Sequence, residues 1–286
     1  MTIQTIVEIP ALDAFRLSLF SAGRKLAFVP TMGALHEGHI SLVQQAKQHA
    51  DSVICSIFVN PSQFGPGEDF NRYPRTLTED VAKLAAAGCD AVFLPNVATM
   101  YPENFQTWVR NEALENDLCG ASRPGHFRGV LTVVMKLLNM VRPEFALFGK
   151  KDYQQWRLIE KMALDLNLPV KIIGGETIRE QDGLAMSSRN RYLKPDERPV
   201  ATAISKGLRA AVEKHKSGEK NSKALVEIVA REIAAHPAIK VEYLTIRDQR
   251  SLADVPGVIS SPAVILVAAR LGDLRLIDNM ELDPSV

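Results

Sequence analysis

An apolar run, Leu26-Ala27-Phe28-Val29, passes directly into Pro30-Thr31-Met32-Gly33-Ala34-Leu35-His36-Glu37-Gly38-His39. Beyond it Ile40, Leu42, Val43, Ala46 and Ala50 recur at helical spacing, which predicts a buried strand, a glycine-bearing turn and a helix start. That succession constrains the chain strongly, because it is half of a βα unit and carries the geometry that binds phosphate. The first amides of a helix lack an internal partner, and the helix dipole favours an anion there. Gly33 and Gly38 let backbone approach a ligand without a Cβ in the way, and His36 and His39 add two imidazoles. Three rival motifs fail. A P-loop needs Lys and then Ser or Thr where this chain has His39 and Ile40. The dinucleotide fingerprint G-x-G-x-x-G is absent. His36 and His39 are three apart, with Glu37 out of place for H-E-x-x-H, which argues against a zinc protease site. The plainer alternative has one histidine capping the helix and the other in solvent.

The βα rhythm continues. Residues 52–59 form a β-branched run without alternation, which predicts a strand buried on both faces. Residues 77–87 read as a helix, 91–94 as a short strand and 130–141 as a helix apolar nearly all round, stopped before Pro143. Residues 145–148 predict a strand, 153–166 a helix and 170–173 a strand. Repeated units of this kind imply a Rossmann-like, doubly wound parallel α/β sheet, with ligands beyond the carboxyl ends of its strands. The alternation stops after Gly174-Gly175, and the domain boundary is placed at 176. Domain 1–176 is then the sheet. Domain 177–286 is a smaller α+β unit, with helices over 197–216 and 222–235 and strands over 241–246, 263–269 and 274–277.

Informative residues do follow the strands. Asn60-Pro61-Ser62-Gln63-Phe64-Gly65 comes after the second, and Gly149-Lys150-Lys151-Asp152-Tyr153-Gln154-Gln155 after the strand at 145–148. Two lysines at a helix start oppose the helix dipole, a conflict that a bound phosphate would remove. Their plain alternative is solvated surface charge, and that of Asp152 is an N-cap. Ser122-Arg123-Pro124-Gly125-His126-Phe127-Arg128-Gly129 is either an anion site or a connecting loop. Met186-Ser187-Ser188-Arg189-Asn190-Arg191 has hydroxyls and guanidinium groups suited to phosphate oxygens, or is a solvated loop.

Charge and cysteine usage exclude several classes. Lys plus Arg is 34 and Asp plus Glu is 33, so a net +1 gives no basic field for nucleic acid or for an anionic membrane. No apolar run approaches a membrane span, and Asp13 and Arg16 interrupt the N-terminal apolar residues, against a signal peptide. Cys55, Cys89 and Cys119 fit no metal pattern or disulfide framework and suggest a reducing cytoplasm.

H-x-G-H after the first strand with Met-Ser-Ser-Arg at a domain junction resembles the HIGH and KMSKS pair of the class I synthetase and nucleotidyltransferase superfamily. The fuller set resembles the pantothenate synthetase (pantoate–β-alanine ligase) family. It comprises Val29 to His39, Phe58-Val59-Asn60-Pro61-Ser62-Gln63-Phe64, Arg123-Pro124-Gly125-His126-Phe127-Arg128-Gly129, Phe148 to Gln155 and Met186-Ser187-Ser188-Arg189-Asn190, in the family's order. Lys150 departs from it, where members often carry Glu.

The resemblance implies a two-step reaction. Pantoate and ATP give pantoyl adenylate and pyrophosphate; β-alanine then gives pantothenate and AMP, with Mg²⁺ accompanying the nucleotide. It implies a cytoplasmic homodimer whose C-terminal domain is a lid. It assigns catalysis to His39 as proton donor, with His36 and Lys151. ATP falls to Met32, Gly33, His36, Gly38, His39, Gly149, Lys150, Lys151, Asp152, Ile178, Met186, Ser187, Ser188 and Arg189. Gln63 and Gln155, with Asn60, hold pantoate and β-alanine; no protein metal ligand is assigned. An acceptor that was itself phosphorylated would call for cations where the glutamines stand. A non-catalytic nucleotide sensor would not need both the glutamines and the Ser-Ser-Arg loop.

Overall fold

A computed structural model describes residues 3–283. The chain divides into two compact units, Met1–Lys150 with Leu158–Glu176, and Lys151–Arg157 with Thr177–Val286.

The first unit opens with β1 (Gln4–Ile6), α1 (Ile9–Ser21), β2 (Leu26–Thr31), α2 (Glu37–Ala46), β3 (Ser52–Ile57), α3 (Leu77–Ala86) and β4 (Ala91–Phe93). Two short helices, α4 (Val97–Met100) and α5 (Cys119–Ser122), lead to α6 (His126–Val141), β5 (Phe145–Gly149), α7 (Tyr153–Asp165) and β6 (Lys171–Gly175). The six strands form one parallel sheet in the order β1-β4-β3-β2-β5-β6. The parallel α/β architecture expected from the alternation is therefore present.

Side chains alternate across each strand. Ala27, Val29, Val53, Cys55, Val92 and Leu147 join Leu42, Val43 and Ala46 of α2 and Leu84 of α3 in one core. Phe28 and Ile54, also without exposure, alternate to the opposite face, and α6 packs against β2. Burying a side chain of this size contributes about 1.5–3 kcal/mol. From β2 the chain winds outward through β3 and β4, then returns to place β5 on the other side of β2. The switch point of this winding is the gap between β2 and β5, where open parallel sheets hold ligands. The turn after β2 and the Gly149-Lys150 end of β5 both lie there.

The second unit packs α8 (Glu197–Lys216) and α9 (Ser222–Ala234) against an antiparallel sheet of β7 (Ile239–Asp248), β8 (Ala263–Leu271) and β9 (Leu274–Leu282), in the order β7-β8-β9. Its core joins Ala201, Ile204 and Leu208 of α8, Leu225 and Val229 of α9, and Ile265 and Val267 of β8.

Three differences from the sequence reading have physical causes. β1 and α1 precede the strand read as first; three residues carry too little pattern to announce a strand, and Pro10 marks α1 only as a helix start. Helix α6 begins at His126, so Arg128 and Gly129 are helical rather than loop. Strand β9 runs on to Leu282 because Asp278 and Asn279, polar and hence read as its end, are buried and paired inside the unit.

Candidate active site

In the first unit, β2 delivers the chain into a tight turn. Gly33 has φ +81°, and a Cβ there would lie 3.0 Å from both Asp80 Oδ2 and Ile57 Cγ2, so the position demands glycine twice over. His36 then caps α2. Its Nδ1 accepts the Gly38 amide at 3.2 Å, while the His36 amide donates to His39 Nδ1 at 3.3 Å. The plainer alternative is half right: one histidine caps the helix, and the second returns the bond to close a reciprocal box. Since both Nδ1 atoms accept, both rings carry their proton on Nε2. The ring centroids are 4.1 Å apart, so the two imidazoles sit side by side at the helix start. The expectation of empty helix amides is corrected, because Gly38 N is already engaged by His36.

Gln63 ends a 3-10 turn, Pro61–Gln63, that follows β3. Its Oε1 accepts from Asn60 Nδ2 at 3.0 Å, and its Nε2 lies 3.1 Å from the Met32 sulfur, which fixes which way the amide faces. Asn60 is buried, and its own amide is engaged on both sides. Nδ2 also donates to the Gly129 carbonyl at 3.2 Å, and Oδ1 accepts from the Ser62 amide at 3.3 Å and the Tyr101 hydroxyl at 2.8 Å. Asn60 therefore orients Gln63.

The 122–129 segment is a brace rather than an anion site. Arg123 holds Glu68 at 2.6 Å and donates to His126 Nε2 at 2.8 Å, and His126 Nδ1 donates to the Gln63 carbonyl at 2.8 Å. Burial works against the Glu68 charge, but the Arg123 bonds and charge prevail and hold its carboxyl below the usual range. Lys150 pairs with Glu176 at 2.6 Å, so its charge is answered within the first unit.

In the second unit, β9 ties down two of the expected segments. Asn279 Nδ2 donates to the Lys151 carbonyl at 3.0 Å, and the Tyr153 hydroxyl donates to Glu281 at 3.1 Å. Burial first and the Glu281 carboxylate second push the Tyr153 hydroxyl well above its ordinary pKa. Asp278 takes Arg179 in a two-pronged pair at 2.7 and 2.9 Å. Arg179 lies in a narrow hairpin where it bridges Ala185 and where the Met186 amide donates to the Ile178 carbonyl at 3.0 Å, so Ile178 and Met186 are neighbours. Ser187 Oγ accepts the Arg189 amide at 3.3 Å and caps the 3-10 turn Ser188–Tyr192. Asn190, donating to Glu180 at 2.7 Å and to the Ala185 carbonyl at 3.0 Å, anchors that turn. Lys151, Ser187 and Arg189 line one cavity together with Arg275 and Asp278. The lysine, serine and arginine expected to meet phosphate oxygens thus line a common cavity within this unit. Asp152 lies beside Lys151, its carboxylate 3.8 Å from the ammonium, and Gln155 follows on the first turn of α7.

Sequence reasoning missed Tyr101, Asp278, Asn279 and Arg275. Each works through a partner distant in the chain, and none sits in a motif; the one signal is the adjacent polar pair Asp278-Asn279, which breaks the alternation of the C-terminal strand.

A parallel sheet with paired imidazoles beyond its switch-point strand, and a Lys-Ser-Arg cluster in the second unit, define a nucleotide-using α/β enzyme. The sequence model of the pantoate–β-alanine ligase family matches residues 2–281. A pantothenate synthetase of Myxococcus xanthus is 52% identical over 91% of this chain and 89% of its own length, and that of Novosphingobium aromaticivorans is 48% identical over 98% and 99%. Pantothenate synthetase from Thermus thermophilus superposes with a TM-score of 0.93 at 42% identity, covering 99% of this chain and all of its own. The ligase from Francisella tularensis, complexed with beta-gamma ATP and β-alanine, superposes at 0.79 with 35% identity, covering 97% of each chain. The chain belongs to the pantoate–β-alanine ligase family.

Proposed function

We propose that this chain condenses pantoate with β-alanine through a pantoyl adenylate, with its binding residues divided between the two units as described above. ATP is the co-substrate, and the products are pantothenate, AMP and pyrophosphate. The carrying observation is the family match over residues 2–281 in a chain whose His36–His39 box and Lys151–Ser187–Arg189 cluster supply the donors such chemistry requires.

In the first step a pantoate carboxylate oxygen attacks the α-phosphorus, and the bond to pyrophosphate breaks. Negative charge grows on the α-phosphate and on the leaving group, and fixed donors aimed there lower the barrier. His36 and His39 supply Nε2–H donors held by the capping box. Lys151, Ser187, Ser188 and Arg189 supply an ammonium, hydroxyls and a guanidinium. Met32, Gly33, Gly38 and Gly149 let backbone come close to the nucleotide. Asp152 accepts from ribose hydroxyls, and Ile178 and Met186 border the base. Gln63 and Gln155 bind pantoate; with its Oε1 held by Asn60, Gln63 meets the substrate through its Nε2 donor. A neutral amide leaves the attacking carboxylate more nucleophilic than an arginine clamp would. In the second step the amine of β-alanine attacks the acyl carbon and AMP departs with the bonding electrons.

Mg²⁺ belongs to this reading as the ion carried by ATP. Among the described residues no group of three or more His, Cys, Asp or Glu is placed to hold a metal. Magnesium bound with a nucleotide usually keeps several waters and takes phosphate oxygens. No described helix is long and apolar enough to cross a membrane. The three cysteines are buried free thiols, as suits a reducing cytoplasm. A homodimer is inferred from the family and is read by sedimentation.

Phosphorus NMR of a mixture of enzyme, ATP, pantoate and β-alanine tests the reaction. AMP and pyrophosphate are expected in equal amounts with pantothenate. ADP and orthophosphate without AMP would falsify the adenylate route.

A further inference from the structure

Asp80 stands on α3, is 1% exposed, and carries its carboxylate into the turn ahead of the imidazoles. Oδ2 accepts the Ala34 amide at 2.8 Å, Oδ1 accepts the Leu35 amide at 2.8 Å, and the Thr76 hydroxyl lies 3.2 Å from both oxygens. One turn along α3, Lys83 Nζ donates to the Leu35 carbonyl at 2.7 Å. On the strand side, Thr31 Oγ1 accepts the Gly33 amide at 3.2 Å and donates to the Ser56 carbonyl at 2.8 Å. The amides of Gly33, Ala34 and Leu35 are thus all engaged inside the protein. In the function proposed above, the phosphate donors of this region are therefore the side chains that follow.

Ala34 has φ +51°, a conformation that costs energy for a residue with a Cβ and persists only where its surroundings over-determine it. Gly33 beside it also has positive φ. Successive amides in such a turn converge into a concavity that binds anions. Here the anion is the chain's own carboxylate. It sits one residue before His36, whose backbone amide begins the capping box.

We infer that Asp80 is a positioning residue for adenylation: its carboxylate fills the nest of Ala34 and Leu35 amides and thereby fixes where His36 and His39 present their Nε2 protons. This rests on the reading of those histidines as the phosphate donors. With the carboxylate removed, Ala34 loses what holds its positive φ, and the chain direction into His36 changes. A displacement of about 1 Å at reacting groups costs about 10²-fold in rate.

Asp80→Asn is the direct variant. It keeps the shape but sets an NH₂ group against one of the two backbone amides. Single-turnover adenylate formation from ATP and pantoate is measured beside the attack of β-alanine on preformed pantoyl adenylate. The expected result is a fall of about 10²-fold in the first and under threefold in the second. The ¹⁵N signals of the His36 and His39 rings should move away from their Nε2-protonated positions, while the far-UV circular dichroism is retained. Adenylation within twofold of the parent, or an equal fall in both steps, overturns the positioning role. Should Asp80→Asn not fold, Thr76→Val removes one hydroxyl from the carboxylate and leaves the chain otherwise intact. A several-fold loss confined to adenylation supports the role, and parental rates in both steps overturn it. His39→Ala run in parallel separates the two ideas. If it adenylates normally, the reading of the histidines fails; if it is impaired while the Asp80 and Thr76 variants are not, only the Asp80 inference fails.

Discussion

The reciprocal capping of His36 and His39 decides which proton each ring holds, and so what each can do. A lone imidazole at a helix start exchanges tautomers freely. These two use their Nδ1 atoms on backbone amides, so Nε2 keeps the proton. A neutral ring oriented in this way donates to a phosphate oxygen without first finding its tautomer. In the reaction proposed, His39→Ala removes one donor that matters most as charge moves to the leaving pyrophosphate, and it also opens the capping box. Adenylation should fall by about 10²–10³-fold in stopped single-turnover measurements, the scale for one transition-state donor. Affinity for ATP should fall much less, because the donor acts chiefly in the transition state. His39→Gln should restore part of the loss, since an amide still donates. With preformed pantoyl adenylate the second step should be nearly parental; an equal loss there would count against the assignment to His39.

At the scale of elements, helix α6 and the turn after β3 act as one device. Gly129 on α6 lies so near the Pro61–Gln63 turn that an added Cβ would sit 2.3 Å from the Ser62 carbonyl oxygen and 2.8 Å from Gln63 Cα. Backbone cannot yield as a side-chain tip can, so Gly129→Ala must push the turn away. Overpacking of this kind costs about 1–3 kcal/mol. The Asn60–Gly129 bond should be strained with it, and Gln63 displaced. Calorimetry should show pantoate binding weakened several-fold while ATP binding stays near parental. Unchanged pantoate affinity in folded Gly129→Ala would detach α6 from the substrate site. The same elements show how much the sequence disclosed. Gln63 was legible because it follows a strand in a contiguous motif. Gly129 falls in a segment open to reading as an anion site or a connecting loop, because a glycine next to Arg128 and ahead of an apolar run looks like a helix boundary. The brace through Arg123, Glu68 and His126 was not legible, since Glu68 and Arg123 are 55 residues apart and an arginine beside a histidine reads equally well as an anion site. The sheet was readable because burial on both faces writes itself into each strand, whereas β1 has three residues and β9 hides two buried polar ones.

At the scale of the molecule, the expected donors fall into two groups that follow the two units. His36, His39 and Gln63 belong to the first, and Lys151, Ser187 and Arg189 to the second. Sequence order alone would assign Lys151 to the sheet, since it follows β5 directly. Its packing assigns it elsewhere, because Asn279 of β9 holds its carbonyl and Tyr153 is tied to Glu281. The second unit therefore owns a lysine, a serine and an arginine around one cavity. In the reaction proposed, charge leaves with pyrophosphate only in the first step, so the guanidinium of Arg189 has work only there. Arg189→Ala should slow adenylate formation by about 10²-fold or more, the effect of removing a single charged donor from a transition state. The turn that carries Arg189 is capped by Ser187 and anchored by Asn190, neither of which needs the guanidinium, so the variant should melt near the parent. Reaction of β-alanine with preformed pantoyl adenylate contains no pyrophosphate and should proceed at close to the parental rate. Parental single-turnover adenylation in Arg189→Ala would remove the second unit's arginine from the chemistry and leave the first unit's imidazoles as its principal donors.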